Sequence, residues 1–135
     1  MLHRDFGQGV LVVDDHLVMR TVVAQALVAA GYQVVLAENG DQAVECLRLR
    51  TYALVITDRQ MPVGEGSSLI RHVRQTYPEL PVLVMTGQTT GLNASDALRD
   101  RAAGCLVKPF TPDELRQAIE KALGRRPDVS EPAAS

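Results

Sequence analysis

Five short, continuous apolar runs, each parted from the next by a stretch of helical spacing, constrain this chain more than any other feature. The runs are Val10-Leu11-Val12-Val13, Gln33-Val34-Val35-Leu36, Ala53-Leu54-Val55-Ile56, Pro81-Val82-Leu83-Val84-Met85 and Gly104-Cys105-Leu106-Val107. A strand with one wet face alternates apolar and polar residues. These runs do not alternate, and they are rich in β-branched residues. That pattern suits strands covered on both faces, as in parallel sheets sandwiched by helices.

The intervening segments carry helical spacing. Apolar positions 18, 19, 22, 23, 26, 27 and 30 form one face of a helix over 16–30, ending at Gly31. Ala43, Val44 and Leu47 mark a second helix, Leu69, Ile70 and Val73 a third, and Leu115, Ala118, Ile119 and Ala122 the last. The last has a clear start. Thr111-Pro112-Asp113-Glu114 offers a capping hydroxyl, a first-turn proline and a glutamate placed to close a capping box. Segment 93–101 has only Ala94, Ala97 and Leu98 as its apolar side, a thin basis for a helix. Repeated βα units predict an α/β fold with a five-stranded, mainly parallel sheet and right-handed crossovers.

Size and charge narrow the function classes. At 135 residues, 46% hydrophobic and 22% charged, the chain suits one domain with a real core. Residues 1–8 form an N-terminal extension, 9–124 the domain, and 125–135 a disordered tail or the start of a linker. A net charge of −2 draws the domain neither to nucleic acid nor to an anionic membrane. No apolar run approaches the ~18 residues that span a bilayer, and the opening residues lack the apolar core of a signal peptide. A cytoplasmic location is the resulting expectation. Cys46 and Cys105 lack metal-like spacing and are expected as reduced, packed thiols.

In an open α/β sheet, ligands sit beyond the carboxyl ends of the strands. Here the first strand runs into Asp14-Asp15, the third into Thr57-Asp58, the fourth ends at Thr86 and the fifth at Lys108. Three carboxylates at one edge repel one another unless a cation intervenes. Hard oxygen ligands suit magnesium, with manganese as its substitute. Such an ion would also neutralise an incoming phosphoryl group, with Lys108 as a second positive charge and Thr86 as a hydroxyl donor. An ionised Asp58 would itself be the nucleophile, so no separate base is needed.

Taken singly, each element has a plainer explanation. Asp14-Asp15 alone is better read as a helix cap, Asp58 before Met61-Pro62 as a turn residue, Thr86-Gly87 as a strand-ending turn, and Lys108 as a solvated lysine. The set, each member at a strand end, is what carries the chemistry. His16 follows the acidic pair, but magnesium prefers oxygen, so it is read as a helix-start or partner-facing residue. His3 and His72 form no pattern. Gly7-x-Gly9 precedes the first strand rather than following it, so it is no dinucleotide fingerprint. The arginines at 71, 74, 99, 101, 125 and 126 fit solvated helix faces and helix ends.

The chain resembles the receiver domains of bacterial two-component response regulators from about Gly9 to Leu123. The matching motifs are Val12-Val13-Asp14-Asp15, Thr57-Asp58 followed by Met61-Pro62 and Gly66, Met85-Thr86-Gly87, and Lys108-Pro109-Phe110. The resemblance implies a doubly wound, CheY-like (flavodoxin-like) sheet of strand order 2-1-3-4-5. It implies that Asp58 accepts a phosphoryl group from a phosphohistidine on a sensor histidine kinase or phosphotransfer protein. Asp15, Asp58 and the backbone carbonyl of Gln60 would bind Mg2+ directly, and Asp14 through water. Thr86 would be the switch hydroxyl, Lys108 the phosphate-binding lysine, and the Lys108–Pro109 bond cis. A downstream effector or an output domain outside this chain would receive the signal, with pairing of two activated copies as one route. The domain is then a signalling phosphoacceptor that assists its own phosphorylation and dephosphorylation rather than a turnover enzyme.

One position departs from the family. Where receivers often carry an aromatic residue on the fifth strand, this chain has Cys105, and no aromatic lies between Tyr77 and Phe110. Coupling by an inward-turning ring cannot operate here, so movement of Thr86 and repacking of 87–103 are expected to carry the signal. Gln60 and Gln88 would tune the lifetime of the phosphoryl group. Three other functions compete. A haloacid dehalogenase-type phosphatase would need an acid where Gln60 stands. A flavodoxin-type flavin site would need a glycine- and hydroxyl-rich loop where Asp14-Asp15 stand. A degenerate receiver serving only as an interaction module would lack residues that are all present.

Overall fold

The computed structural model of the chain describes residues 9–58, 65–87 and 104–124. Along Gly9–Val13, the first strand (β1), successive side chains part to opposite faces and all are buried. Leu11 and Val13 enter one core cluster, Val10 and Val12 the other. This is the period-two geometry of a strand with helices on both sides, and it explains why the run is continuously apolar.

The chain continues through α1 (Leu17–Ala29), β2 (Gln33–Ala37), α2 (Gly40–Leu49), β3 (Leu54–Asp58), α3 (Glu65–Thr76), β4 (Val82–Thr86), β5 (Gly104–Val107) and α4 (Pro112–Ala122). The sheet has the order β2-β1-β3-β4-β5, and all its pairings are parallel. One core layer joins Leu11, Val13, Val55 and Val84 to Ala43 and Leu47 of α2 and Leu69, Ile70 and Val73 of α3. The opposite layer joins Val10, Val12, Ile56, Leu83 and Met85 to Val23 and Leu27 of α1 and Leu115 and Ile119 of α4. Each fully buried aliphatic side chain contributes about 1.5–3 kcal/mol, so both layers hold the sheet. The doubly wound expectation is met.

Helix ends follow local chemistry. Asn39 caps α2 by accepting the amide of Gln42 at 2.8 Å. Thr111 and Glu114 form the expected capping box, with Thr111 Oγ1 accepting the Glu114 amide at 3.0 Å and Glu114 Oε1 accepting the Thr111 amide at 2.9 Å. After α1, Gly31 takes φ 97 while the Tyr32 amide bonds Leu27 O and the Gly31 amide bonds Val28 O. That paired return is the Schellman turn, which needs a left-handed residue at this point.

Two expectations shift. The apolar stripe of α1 is wider than the strip of sheet it covers: Val23 and Leu27 are buried, but Val18 and Val22 are 75% and 49% exposed. The outer strands β2 and β5 also leave residues exposed, Leu36 and Val107 among them. Each has a strand neighbour on one side only, so continuous apolarity overstates their burial. The segment 93–101, both termini and the motif Met61-Pro62 lie outside the described residues. Among the described residues, no helix is long and apolar enough to cross a membrane.

Candidate functional site

The sheet brings Asp14, Asp58, Thr86 and Lys108 to its carboxyl edge because four strands end in register. Asp58 is the last residue of β3 and pairs with Met85, while Thr86 ends β4 beside Val107. Thr86 ends its strand as expected, while Asp58 closes its strand rather than following it, two residues beyond the end drawn from apolarity alone. The Lys108 amide donates to Thr86 O at 2.8 Å, which extends the ladder between β4 and β5 by one rung. The Lys108–Pro109 peptide is cis, as the resemblance implied.

Asp14, Asp58 and Thr86 are essentially inaccessible to water. Carboxylates so placed require partners. Lys108 Nζ lies 3.1 Å from Asp58 Oδ2 and 3.5 Å from Asp14 Oδ2, so one ammonium serves two buried acids. Only the first contact is a hydrogen bond. Asp14 Oδ2 accepts none from the described residues. Asp14 Oδ1 accepts the backbone amide of His16 at 2.8 Å, a local turn that aims the carboxylate. Thr86 Oγ1 donates to Gly87 O at 3.0 Å, a bond that rotation about one side-chain torsion would release.

Ligand atoms of Asp14, Asp15, His16 and Asp58 all fall within 4.8 Å of one another. Asp14, Asp15 and Asp58 are therefore brought together as expected, and Gln60 lies outside the described residues. A buried carboxylate oxygen without a hydrogen bond, beside two further carboxylates, fits a hard divalent cation better than it fits any arrangement of the acids alone.

His16 stands at the start of α1 as expected, but its contacts with the acids and the placement of Arg20 were not anticipated. His16 Nδ1 stands 3.1 Å from Asp15 Oδ1 and 3.3 Å from Asp14 Oδ1. Arg20 is buried, and its Nη1 donates to the backbone carbonyl of Asp14 at 2.8 Å, tying α1 to the end of β1. Arg20 is the one charged residue in α1. That isolation was a legible signal, and the apolar periodicity around it hid it.

Comparison with known proteins decides the family. The model of the response regulator receiver domain matches residues 10–120. The chain belongs to the response regulator receiver domain family. Transcriptional regulatory protein ZraR of Escherichia coli O157:H7 is 37% identical over 114 residues, covering 84% of this chain and 26% of that protein. The DNA-binding transcriptional regulator NtrC of Escherichia coli K12 is 33% identical over 123 residues, covering 91% of this chain and 26% of NtrC. This receiver thus spans about a quarter of the length of the curated relatives it matches. Among solved structures, chemotaxis response regulator CheY4 of Vibrio cholerae superposes with a TM-score of 0.78 at 30% identity, covering 90% of this chain and 99% of that one. The receiver domain of NtrX from Brucella abortus gives 0.81 at 31% identity, covering 87% and 99%. The fold is therefore CheY-like, and the chain is the receiver domain of a two-component response regulator.

Proposed function

We propose that Asp58 is the phosphoacceptor of this receiver and that Asp14, Asp15 and Asp58, with Gln60, hold a magnesium ion beside it. The observation that carries the reading is the buried Asp58 carboxylate facing Lys108 at 3.1 Å within a cluster of acids. A divalent cation bound there supplies charge neutralisation for an incoming phosphoryl group. An Asp58 carboxylate oxygen attacks phosphorus, the O–P bond forms, and the P–N bond to the donor histidine breaks with its electron pair returning to the imidazole. Lys108 releases its contact with Asp58 and pairs with the new phosphoryl oxygens. Thr86 Oγ1 leaves Gly87 O and donates to another of them, which carries the added charge into β4 and the chain beyond it. Water later attacks the acyl phosphate, so the domain resets itself.

The donor is a histidine kinase or phosphotransfer protein, and the receiver unit is 9–124, with 1–8 an extension and 125–135 a tail or linker start. Relatives of which the match covers only 26% support an output domain as the recipient of the signal. Two cysteines outside any disulfide support a cytoplasmic setting.

Intact mass spectrometry with a small phosphodonor, with and without magnesium, tests this reading. One metal-dependent phosphoryl addition is expected, absent in Asp58→Asn. Undiminished addition to that variant would end the assignment. Failure of the unsubstituted chain to take phosphate from any donor would favour an interaction module instead.

A further inference from the structure

At the amino edge of the sheet, away from the acids, lies a cavity of about 290 Å³ that phosphoryl chemistry does not use. We propose that this cavity binds a small, flat aromatic monocarboxylate, with its ring against Tyr52 and Tyr77 and its carboxylate toward Arg50. The site is separate from the phosphoacceptor, so either reading can fail alone.

The topology opens the cavity where four elements start or stop. Leu47 lies in the last turn of α2, Ala53 leads into β3, Tyr77 follows α3 and Pro81 leads into β4. With Tyr52 and Leu80, these residues form an apolar and aromatic wall. Asp58 stands at the other end of β3. An apolar void of ~150 Å³ takes one benzene ring, so this cavity has room for a ring and a substituent. The ring of Tyr77 packs edge-on against His72, with centroids 6.1 Å apart, which braces one wall.

Polar groups give the cavity a direction. Tyr52 Oη donates to Cys46 O at 3.4 Å, and Tyr77 Oη donates to Leu47 O at 3.3 Å, so both phenols meet the last carbonyls of α2. Hydroxyl bonds to oxygen centre near ~2.7–2.8 Å. Both bonds are long, and either hydroxyl gains by turning to a stronger acceptor in the cavity. Arg50 and Glu79 are exposed residues on its lining. Burial raises the Tyr52 phenol, to about 12, and the Cys46 thiol, and in both the Arg50 charge opposes the rise. The guanidinium field therefore reaches the phenol end, where it favours an anion. A carboxylate suits it best, because it pairs with a guanidinium through two parallel bonds. Glu79 disfavours a second negative charge, which selects a monoanion. Titratable groups perturbed by burial and gathered at a cavity mark a binding site. The plain alternative is a packing gap that water fills.

The test follows backbone amide NMR signals of the isotope-labelled chain during titration with benzoate, benzamide and benzylamine, which share a shape and differ in charge. Benzoate should shift the amides of Leu47, Arg50, Tyr52, Tyr77 and Leu80 to saturation. Benzamide should bind more weakly, and benzylamine should not bind. Arg50→Gln should weaken benzoate about tenfold, the scale of one lost charge-assisted bond. Glu79→Gln should tighten it. Asp58→Asn should leave benzoate binding unchanged, because the acids lie at the opposite edge. Equal responses to the three probes, full benzoate affinity in Arg50→Gln, or shifts centred on Thr86 and Lys108 would each overturn the proposal. So would the absence of any saturable shift with benzoate, which would leave the water-filled gap.

Discussion

Lys108 Nζ meets Asp58 Oδ2 at 3.1 Å across fifty residues of sequence, and the same ammonium lies 3.5 Å from Asp14 Oδ2. Replacing it with alanine leaves two buried carboxylates facing each other. Breaking a fully buried pair costs about 3–5 kcal/mol, and the partial exposure of Lys108 reduces that to about 2 kcal/mol. Lys108→Ala should therefore melt several degrees lower in chelator and regain most of the loss in millimolar magnesium. A deficit of equal size with and without the ion would contradict the shared-charge account.

Arg20 offers a second handle. Its buried guanidinium satisfies the Asp14 carbonyl, so Arg20→Met leaves that acceptor without its donor, at about 1–3 kcal/mol. Because the carbonyl belongs to a residue of the acidic cluster, magnesium affinity should fall together with the urea midpoint. A variant that loses stability but binds magnesium normally would confine Arg20 to the fold.

The exposed apolar side chains Leu17, Val18 and Val22 lie on α1, the helix that comes after the Asp14-Asp15 pair. A protein donor covering the site would rest on them, and a small molecule would not. Val18→Asp should slow phosphotransfer from a kinase about tenfold, equivalent to about 1.4 kcal/mol, while phosphorylation by a small donor stays unchanged. Equal slowing with both donors would place the effect in the site itself.

Far from the site, burial pushes the Tyr52 phenol up to about 12, with the Cys46 thiol adding and Arg50 opposing. In the unfolded chain a phenol titrates near 10. Between those values the folded state keeps a proton that the unfolded state has released. Stability from this group is therefore intact below about pH 10 and falls as pH rises toward about 12. The urea midpoint of Tyr52→Phe should decline less steeply over that window than that of the unsubstituted chain. Parallel declines would remove Tyr52 as the cause.

The layered sheet, the helix order and the gathering of Asp14, Asp58, Thr86 and Lys108 were legible because each depends on short-range pattern: apolar continuity, turn chemistry and polar residues at strand ends. The capping box at Thr111 belongs to the same class, since both its partners lie within one turn. What escaped depends on which surface meets which. Val18 and Val22 continue the apolar period of α1 but face solvent, because only part of that helix reaches the sheet. Arg20 reads as an interruption until the carbonyl of Asp14 is seen beside it. His16 is set aside on ligand preference alone, and only the turn at Asp14 brings its ring against the acids.

The amide of Lys108 is fastened to the carbonyl of Thr86, so these two strand ends share one beam. The backbone roots of the Thr86 hydroxyl and the Lys108 ammonium are held together on it, while each side chain swivels on its own torsions. An anion gripped by both would bind the tips of β4 and β5 to each other a second time, through its own oxygens.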